Sequence, residues 1–204
     1  MKKLLLTAAA VFAFSFANAQ DSSASGEGFS KGNVMLSGSV GVNSEKTGED
    51  KASGFNFSPR AGFFVTDNIA VGVALGFSST KQEDSSPIED KKTDFSAGVF
   101  GRYYFTPASK FSVFGQLGVN MNSYKNESTN NVSGLTLSSK GSGFGVALAP
   151  GVSYFLSNHF ALEATWGVLG FDSSKPDATG ADTTTNVDFG LDLNDLNFGL
   201  VYKF

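Results

Sequence analysis

Cysteine is absent from the 204 residues, which excludes disulfides, thiolate metal sites and a lipid-modified cysteine. Histidine and tryptophan occur once each, as His159 and Trp166. Without cysteine no thiolate nucleophile or thiolate zinc site is available, and the one histidine falls in a short turn, on the side opposite the long loops, where no Ser-His-Asp set is expected to act. Positive charge is not in excess: the formal net charge is −4, and no Lys/Arg cluster marks a nucleic-acid surface. Beyond the first 19 residues no apolar run of about 18 residues exists, so no helix can span a bilayer.

What is abundant is glycine, with 24 residues, and phenylalanine, with 21. Interior glycine costs a helix about 1 kcal/mol against alanine, so the composition favours strands. The amino terminus is different in kind. Lys2 and Lys3 precede the apolar stretch Leu4 to Phe16, and Ala17-Asn18-Ala19 offers small residues for cleavage, the pattern of a secretory signal peptide over residues 1–19. The Ser- and Gly-rich stretch 20–32 reads as a flexible periplasmic tail. An exported chain without disulfides fits a bacterial envelope.

Alternation defines the class, because successive side chains of a strand point to opposite faces. Ile69 to Ser78 sets Ile69, Val71, Val73, Leu75 and Phe77 against Ala70, Gly72, Ala74, Gly76 and Ser78. The same pattern runs through residues 33–43, 53–65, 93–105, 110–123, 143–155, 160–170 and 195–204. Eight antiparallel, up-and-down strands are predicted. Three connections are short, at 66–68, 106–110 and 157–158, and four are long and hydrophilic, at 44–52, 79–92, 124–140 and 172–186. Short turns on one side and long loops on the other are the asymmetry of a barrel in an outer membrane. Residues 59–71 and 150–162 repeat one another as strand, aromatic pair, polar turn and strand, so the hairpin is the unit.

A soluble binding barrel also alternates, with its large residues inward. Here the second face is made of Gly62, Gly72, Gly76, Gly98, Gly118, Gly145, Gly151, Gly167 and Gly199 with Ala and Ser. An eight-stranded barrel has little room inside, so this face belongs to the lumen and the Phe, Leu and Val rows face lipid. Aromatics near both ends of those rows, Phe63, Tyr103, Phe105, Phe111, Tyr154, Phe160, Tyr202 and Phe204 at one level and Phe55, Phe57, Phe77 and Phe144 at the other, match two interfacial girdles. Pro59 and Pro150 each remove a ladder donor, and a bulge is expected at both.

Few charges fall on the inner row. Counted from the short turns, Arg60, Arg102 and Glu163 lie at one height in the periplasmic half, which predicts a salt-bridge cluster centred on Glu163. Asn56, Gln116, Asn120 and Tyr104 are its candidate hydrogen-bond partners. Two readings follow: a packed polar plug, reinforced by inward Phe64, Phe100, Phe114 and Phe155, or a gate that passes small solutes. Asp172, Asp177 and Asp182 match no calcium-loop spacing and read as a solvated acidic loop.

The last strand carries the most specific pattern: Asn197, Gly199, Tyr202 and a terminal Phe204 at fixed spacing. With the hairpins around Asp67-Asn68 and Ser157-Asn158, it resembles the small outer-membrane β-barrel proteins of Gram-negative bacteria, of the OmpA/OmpX type and porin-like families. The resemblance covers essentially the whole mature chain from Gln20, with the barrel domain expected over residues 33–204. It implies insertion into outer-membrane lipid by the barrel assembly machinery, which reads the last strand; from the residues themselves, which offer no convergent catalytic or metal set, no cofactor and no enzymatic turnover are expected. Fold does not imply function, and the role expected from the chain itself is structural or interactive, with the four long loops as the surface for an extracellular ligand; the alternative is a narrow porin-like channel or transporter of small solutes.

Overall fold

The computed structural model describes residues 26–84, 87–190 and 196–204, all without helix. Ten strand segments form: β1 (Val34–Thr47), β2 (Asp50–Phe64), β3 (Ile69–Glu83), β4 (Ile88–Tyr104), β5 (Phe111–Asn130), β6 (Leu135–Phe155), β7 (Phe160–Trp166), β8 (Leu169–Pro176), β9 (Thr184–Phe189) and β10 (Leu196–Lys203). They occupy eight positions around one antiparallel barrel, because β7 and β8 succeed each other along β6, and β10 and β9 continue the eighth position. Closure is made by β1 and β10, paired from Met35↔Lys203 to Gly38↔Leu200. A closed sheet is the only strand arrangement that satisfies backbone groups in hydrocarbon.

The alternation sorts as expected. Phe64, Phe100, Tyr104, Phe114, Phe155 and Val201 are buried in the lumen, while Phe63, Val71, Val99, Leu117, Leu148, Leu162 and Leu200 stand exposed on the outer wall. Glycine makes the filling possible: a Cβ on Gly72 or Gly151 would run into the rings of Phe100 and Phe114. On the outside Tyr103 packs edge-on to Phe105 and Tyr202 to Phe204, part of the periplasmic girdle. At the three short turns a side-chain oxygen takes the free amides, as where Thr66 Oγ1 accepts from Ile69 N at 2.9 Å and Ser157 Oγ from Phe160 N at 3.1 Å.

Three expectations are corrected. The strands are longer than the alternation suggested, reaching 20 residues in β5 and 21 in β6. Most of the regions 44–52, 79–92 and 124–140, expected as loops, are continuous ladder, with pairs such as Glu45↔Ala52, Glu83↔Glu89 and Glu127↔Ser138. Within 172–186 the ladder likewise runs on to Ser174↔Thr184. Above the bilayer neither face of the sheet meets lipid, so the apolar alternation stops while hydrogen bonding continues. Cross-strand contacts support these extensions, with Lys81 Nζ 3.0 Å from Glu89 Oε2 and a Thr129–Thr136 hydroxyl pair at 3.0 Å. Left-handed glycines, Gly48, Gly134 and Gly180, turn the chain at three outer ends.

The prolines behave differently from one another. At Pro59 the β2–β3 ladder skips Ser58 and Pro59 and resumes in unchanged register at Arg60↔Ala74, so no residue bulges. At Pro150 a bulge does form, but in the facing strand: between Gly151↔Thr165 and Leu148↔Leu169, two residues of β6 oppose three from Trp166 to Val168. Lacking an N–H, Pro150 cannot hold the strand opposite it.

The third correction concerns the amino-terminal segment. Residues 20–25 lie outside the described residues, but residues 26–32 are not a free tail. They fold under the barrel and put Phe29, 2 % exposed, into its periplasmic mouth. The reason is hydrophobic: a ring in a Gly/Ser stretch has an aromatic cavity within reach, and burying it gains about 2–3 kcal/mol.

Candidate functional site

The lumen is built from the periplasmic end upward. At the bottom, Phe29 stacks on Phe64 with centroids 4.7 Å apart and lies 4.9 Å from Tyr104 and 4.8 Å from Phe155. Its N–H donates to Pro107 O at 2.6 Å. Lys203, on the last strand, points inward and donates from Nζ to Gly26 O and Gly28 O, both at 2.8 Å. At the rim Glu27 meets Lys110 at 2.9 Å, and that carboxylate raises the lysine's pKa above its ordinary range. Gly28 has φ 101°, and a Cβ there would come within 2.6 Å of Pro107 O, so a residue with a side chain could not take this close approach.

One layer higher lies the predicted ion cluster. Arg102 and Glu163 form a two-pronged pair, Nη1–Oε2 at 2.5 Å and Nη2–Oε1 at 2.9 Å, with the two side chains 0 % and 4 % exposed. Parallel bonds from a planar guanidinium to a carboxylate are the strong form of this contact. Arg102 Nε also donates to Gln116 Oε1 at 2.7 Å, and Nη1 to Tyr104 Oη at 3.2 Å. The guanidinium lies over the ring of Phe114, 4.4 Å from its centroid, and 5.2 Å from that of Phe100. Arg60 joins more loosely, 3.7 Å from Glu163 Oε1, with a side chain 24 % exposed.

Of the predicted network, then, Arg102, Glu163, Gln116 and Tyr104 come together, with Arg60 at the edge. Asn56 and Asn120 do not join it. Asn56 sits across from Gly41 and Ser78, and Asn120 across from Gly98 and Gly145, in layers nearer the outer mouth. Both face inward as parity requires; height along a tilted strand is what residue counting misjudged. Asp172 is a lumen residue beside Gly145, and Asp177 and Asp182 lie outside the ladders. Among the described residues no group of three His, Cys, Asp or Glu side chains could hold a metal. His159, in a periplasmic turn, sets Nδ1 2.9 Å from Lys203 O.

Reading by alternation missed Phe29 and the clasp role of Lys203. The available signal was Phe29 itself, a lone aromatic in a stretch otherwise without large apolar residues. In the last strand Tyr202 and Phe204 face out, Gly199 faces in, and Phe204 N donates to Val34 O at 2.9 Å, tying the two ends of the barrel together.

An all-β wall with large apolar residues outward and charges paired inward defines a transmembrane β-barrel. The sequence matches the outer membrane protein beta-barrel domain family over residues 6–204, and the chain belongs to it. Its place is therefore the outer membrane. Among solved structures it is similar in fold to the outer membrane protein OprG from Pseudomonas aeruginosa, at 18% identity and TM-score 0.54, covering 87% of this chain and 98% of that one. A second is a major outer membrane protein from Thermus thermophilus, at 14% identity and TM-score 0.51, covering 85% and 98%. No curated protein matches the sequence.

Proposed function

We propose that this protein is a sealed outer-membrane barrel whose work is structural and interactive: it holds four extended hairpins outside the cell and neither turns over a substrate nor opens a wide pore. The observation that carries this reading is the filled periplasmic half of the lumen, where Phe29, Phe64, Tyr104, Phe114 and Phe155 and the Arg102–Glu163 pair occupy the cross-section. Solute passage would require parting a buried bidentate ion pair and withdrawing Phe29. The outer hairpins, rich in Lys, Glu, Ser and Thr, are the surface offered to an extracellular ligand. Recognition of Asn197, Gly199, Tyr202 and Phe204 by the barrel assembly machinery belongs to the same reading.

Conductance tests it. The mature chain in planar bilayers is expected to give no stable openings in the nanosiemens range, and removal of residues 26–32 is expected to leave it closed at the Arg102–Glu163 layer. Reproducible large openings of the intact chain would favour the narrow-channel alternative instead.

A further inference from the structure

Where the apolar wall ends, the outward face of the strands repeats one order of residues. In the β1–β2 hairpin Val42 faces Phe55, Ser44 faces Ser53 and Lys46 faces Lys51. In β3–β4 the pairs are Phe77↔Phe95, Ser79↔Thr93 and Lys81↔Lys91. In β5–β6 they are Met121↔Phe144, Ser123↔Ser142 and Lys125↔Lys140. The same order runs through Phe171, Ser173 and Lys175 of β8, whereas β9 has Val187, Thr185 and then Thr183. Seven strands thus carry an apolar residue, a hydroxyl and a lysine in succession, all on one face because each step is two residues.

The lysines form a level ring. At each joint between hairpins the ring is offset by one outward position against the ladder, as Ser53↔Lys81, Thr93↔Lys125 and Ser142↔Lys175 show. Two residues, about 6.7 Å, for every two strands, about 9.6 Å, is the offset of a level line on strands tilted by about 35°, a tilt that barrels have. Like charges directly opposite one another destabilise a hairpin, yet three hairpins place a lysine pair at this step. Glutamates on the same face answer only part of it: Glu83 and Glu89 take Lys81 at 2.7 and 3.0 Å, Glu127 takes Lys125 at 2.5 Å, and Glu83 lies 3.9 Å from Lys51. Lys46, Lys91, Lys140 and Lys175 have no ion-pair partner among the described residues, and Glu127 acts on Lys91 and Lys140 only at longer range. The nearby carboxylates of Glu45, Asp90 and Asp94 fall on the inner face by the same parity. A chain of net charge −4 therefore turns a positive ring outward.

We propose that this ring binds lipids of the outer leaflet whose headgroups carry phosphate monoesters, each lysine pair holding one phosphate. The lysines lie four residues beyond the apolar row, about 13 Å along the strand and about 11 Å in height. Their stems can lie back over the hydroxyl row and bring the ammonium groups into the headgroup layer. A phosphate monoester carries a charge of about −1.5 to −2 at pH 7, which balances two ammonium groups, whereas a diester balances one. Lipid is favoured over a soluble anion because the exposed Phe55, Phe77, Phe95 and Phe144 stand directly below the ring, where the acyl chains of the same lipid would lie. The ring is outside the barrel, so it stands or falls separately from the sealed-lumen reading.

Lipids spin-labelled deep in the acyl chain test this, because chains held against the wall are motionally restricted. The mature chain is folded into phosphatidylcholine vesicles at pH 7.5, and the restricted fractions of labelled phosphatidic acid, phosphatidylglycerol and phosphatidylcholine are compared. Phosphatidic acid, a monoester, is expected to associate about fivefold more strongly than phosphatidylcholine, with phosphatidylglycerol between them. Glutamine at Lys81, Lys91, Lys125 and Lys140 together should bring phosphatidic acid close to phosphatidylcholine, and arginine at the same four positions should retain the preference. Lys92→Gln, one residue away on the inner face, should leave it unchanged. Heat-modified gel mobility confirms that each variant is folded. A preference that survives the four glutamines in a folded barrel, or that Lys92→Gln abolishes equally, would overturn the proposal. Release of phosphatidic acid by inorganic phosphate at equal concentration would assign the ring to free anions and overturn the lipid.

Discussion

Replacing Glu163 by glutamine keeps the volume of the side chain and removes its charge, which isolates what the carboxylate does. Arg102 has no exposure with which to recover water, and it would lose two charge-assisted hydrogen bonds, at 2.5 and 2.9 Å, keeping those to Gln116 and Tyr104. A charge-assisted bond contributes about 1.5–3 kcal/mol, and breaking one side of a buried pair costs about 3–5 kcal/mol in total. The glutamine oxygen recovers part of one bond, so a loss of about 3 kcal/mol is expected. Arg60, which has its own access to water, adds little. Reversible urea unfolding in lipid vesicles, followed by Trp166 emission and by gel mobility, gives the number directly. A companion variant makes the reasoning sharper: Arg102→Met with Glu163→Leu removes both charges and should cost less than Glu163→Gln alone, because no buried charge is stranded. If Glu163→Gln unfolds within about 1 kcal/mol of the parent, or the double variant is the worse of the two, the ion pair is not the stabilising element described.

Two further outcomes follow from the ends of the chain. Phe29→Ala should raise hydrogen exchange at the Phe29 and Gly32 amides, which donate to Pro107 O and Phe64 O, by about a hundredfold for a loss of about 3 kcal/mol, with the wall strands unchanged; unaltered protection would mean that the ring does not hold the segment. Deleting Phe204 removes the amide that bonds Val34 O and the ring that packs on Tyr202, and its level in the outer membrane should fall more than the in vitro stability of the folded barrel; normal levels would refute a part for it in assembly.

The wall and its polarity were legible from particular rows. Ile69 to Phe77 alternates large and small without a fault, and the structure places its large residues on lipid and its small ones in the lumen. Strand parity also put Arg60, Arg102 and Glu163 on the inside at neighbouring levels, because residues near short turns have a common origin from which to count. Farther from the turns the count degraded, as Asn56 and Asn120 show: tilt and stagger shift each strand against the next, and only the registers resolve it. The strand extensions past Ser78 and Ser123 were hidden because the cue was apolar alternation, and above the membrane nothing imposes it. The bulge opposite Pro150 was half visible; the missing donor is in the sequence, but which strand yields is a property of the pair.

By itself, then, the sequence determined the class of solvent on each face, since a period of two and the size difference between the faces are local properties of the chain. Tertiary structure alone decided what closes the mouth and where the wall is weak. Phe29 finds its place only because Phe64, Tyr104 and Phe155 converge from three separate strands. The pairing of β1 with β10 begins at Met35↔Lys203 and stops at Gly38 for reasons that involve two strands from opposite ends of the chain. No local pattern encodes a contact of that separation; it is set by how the seven other joints of the barrel add up.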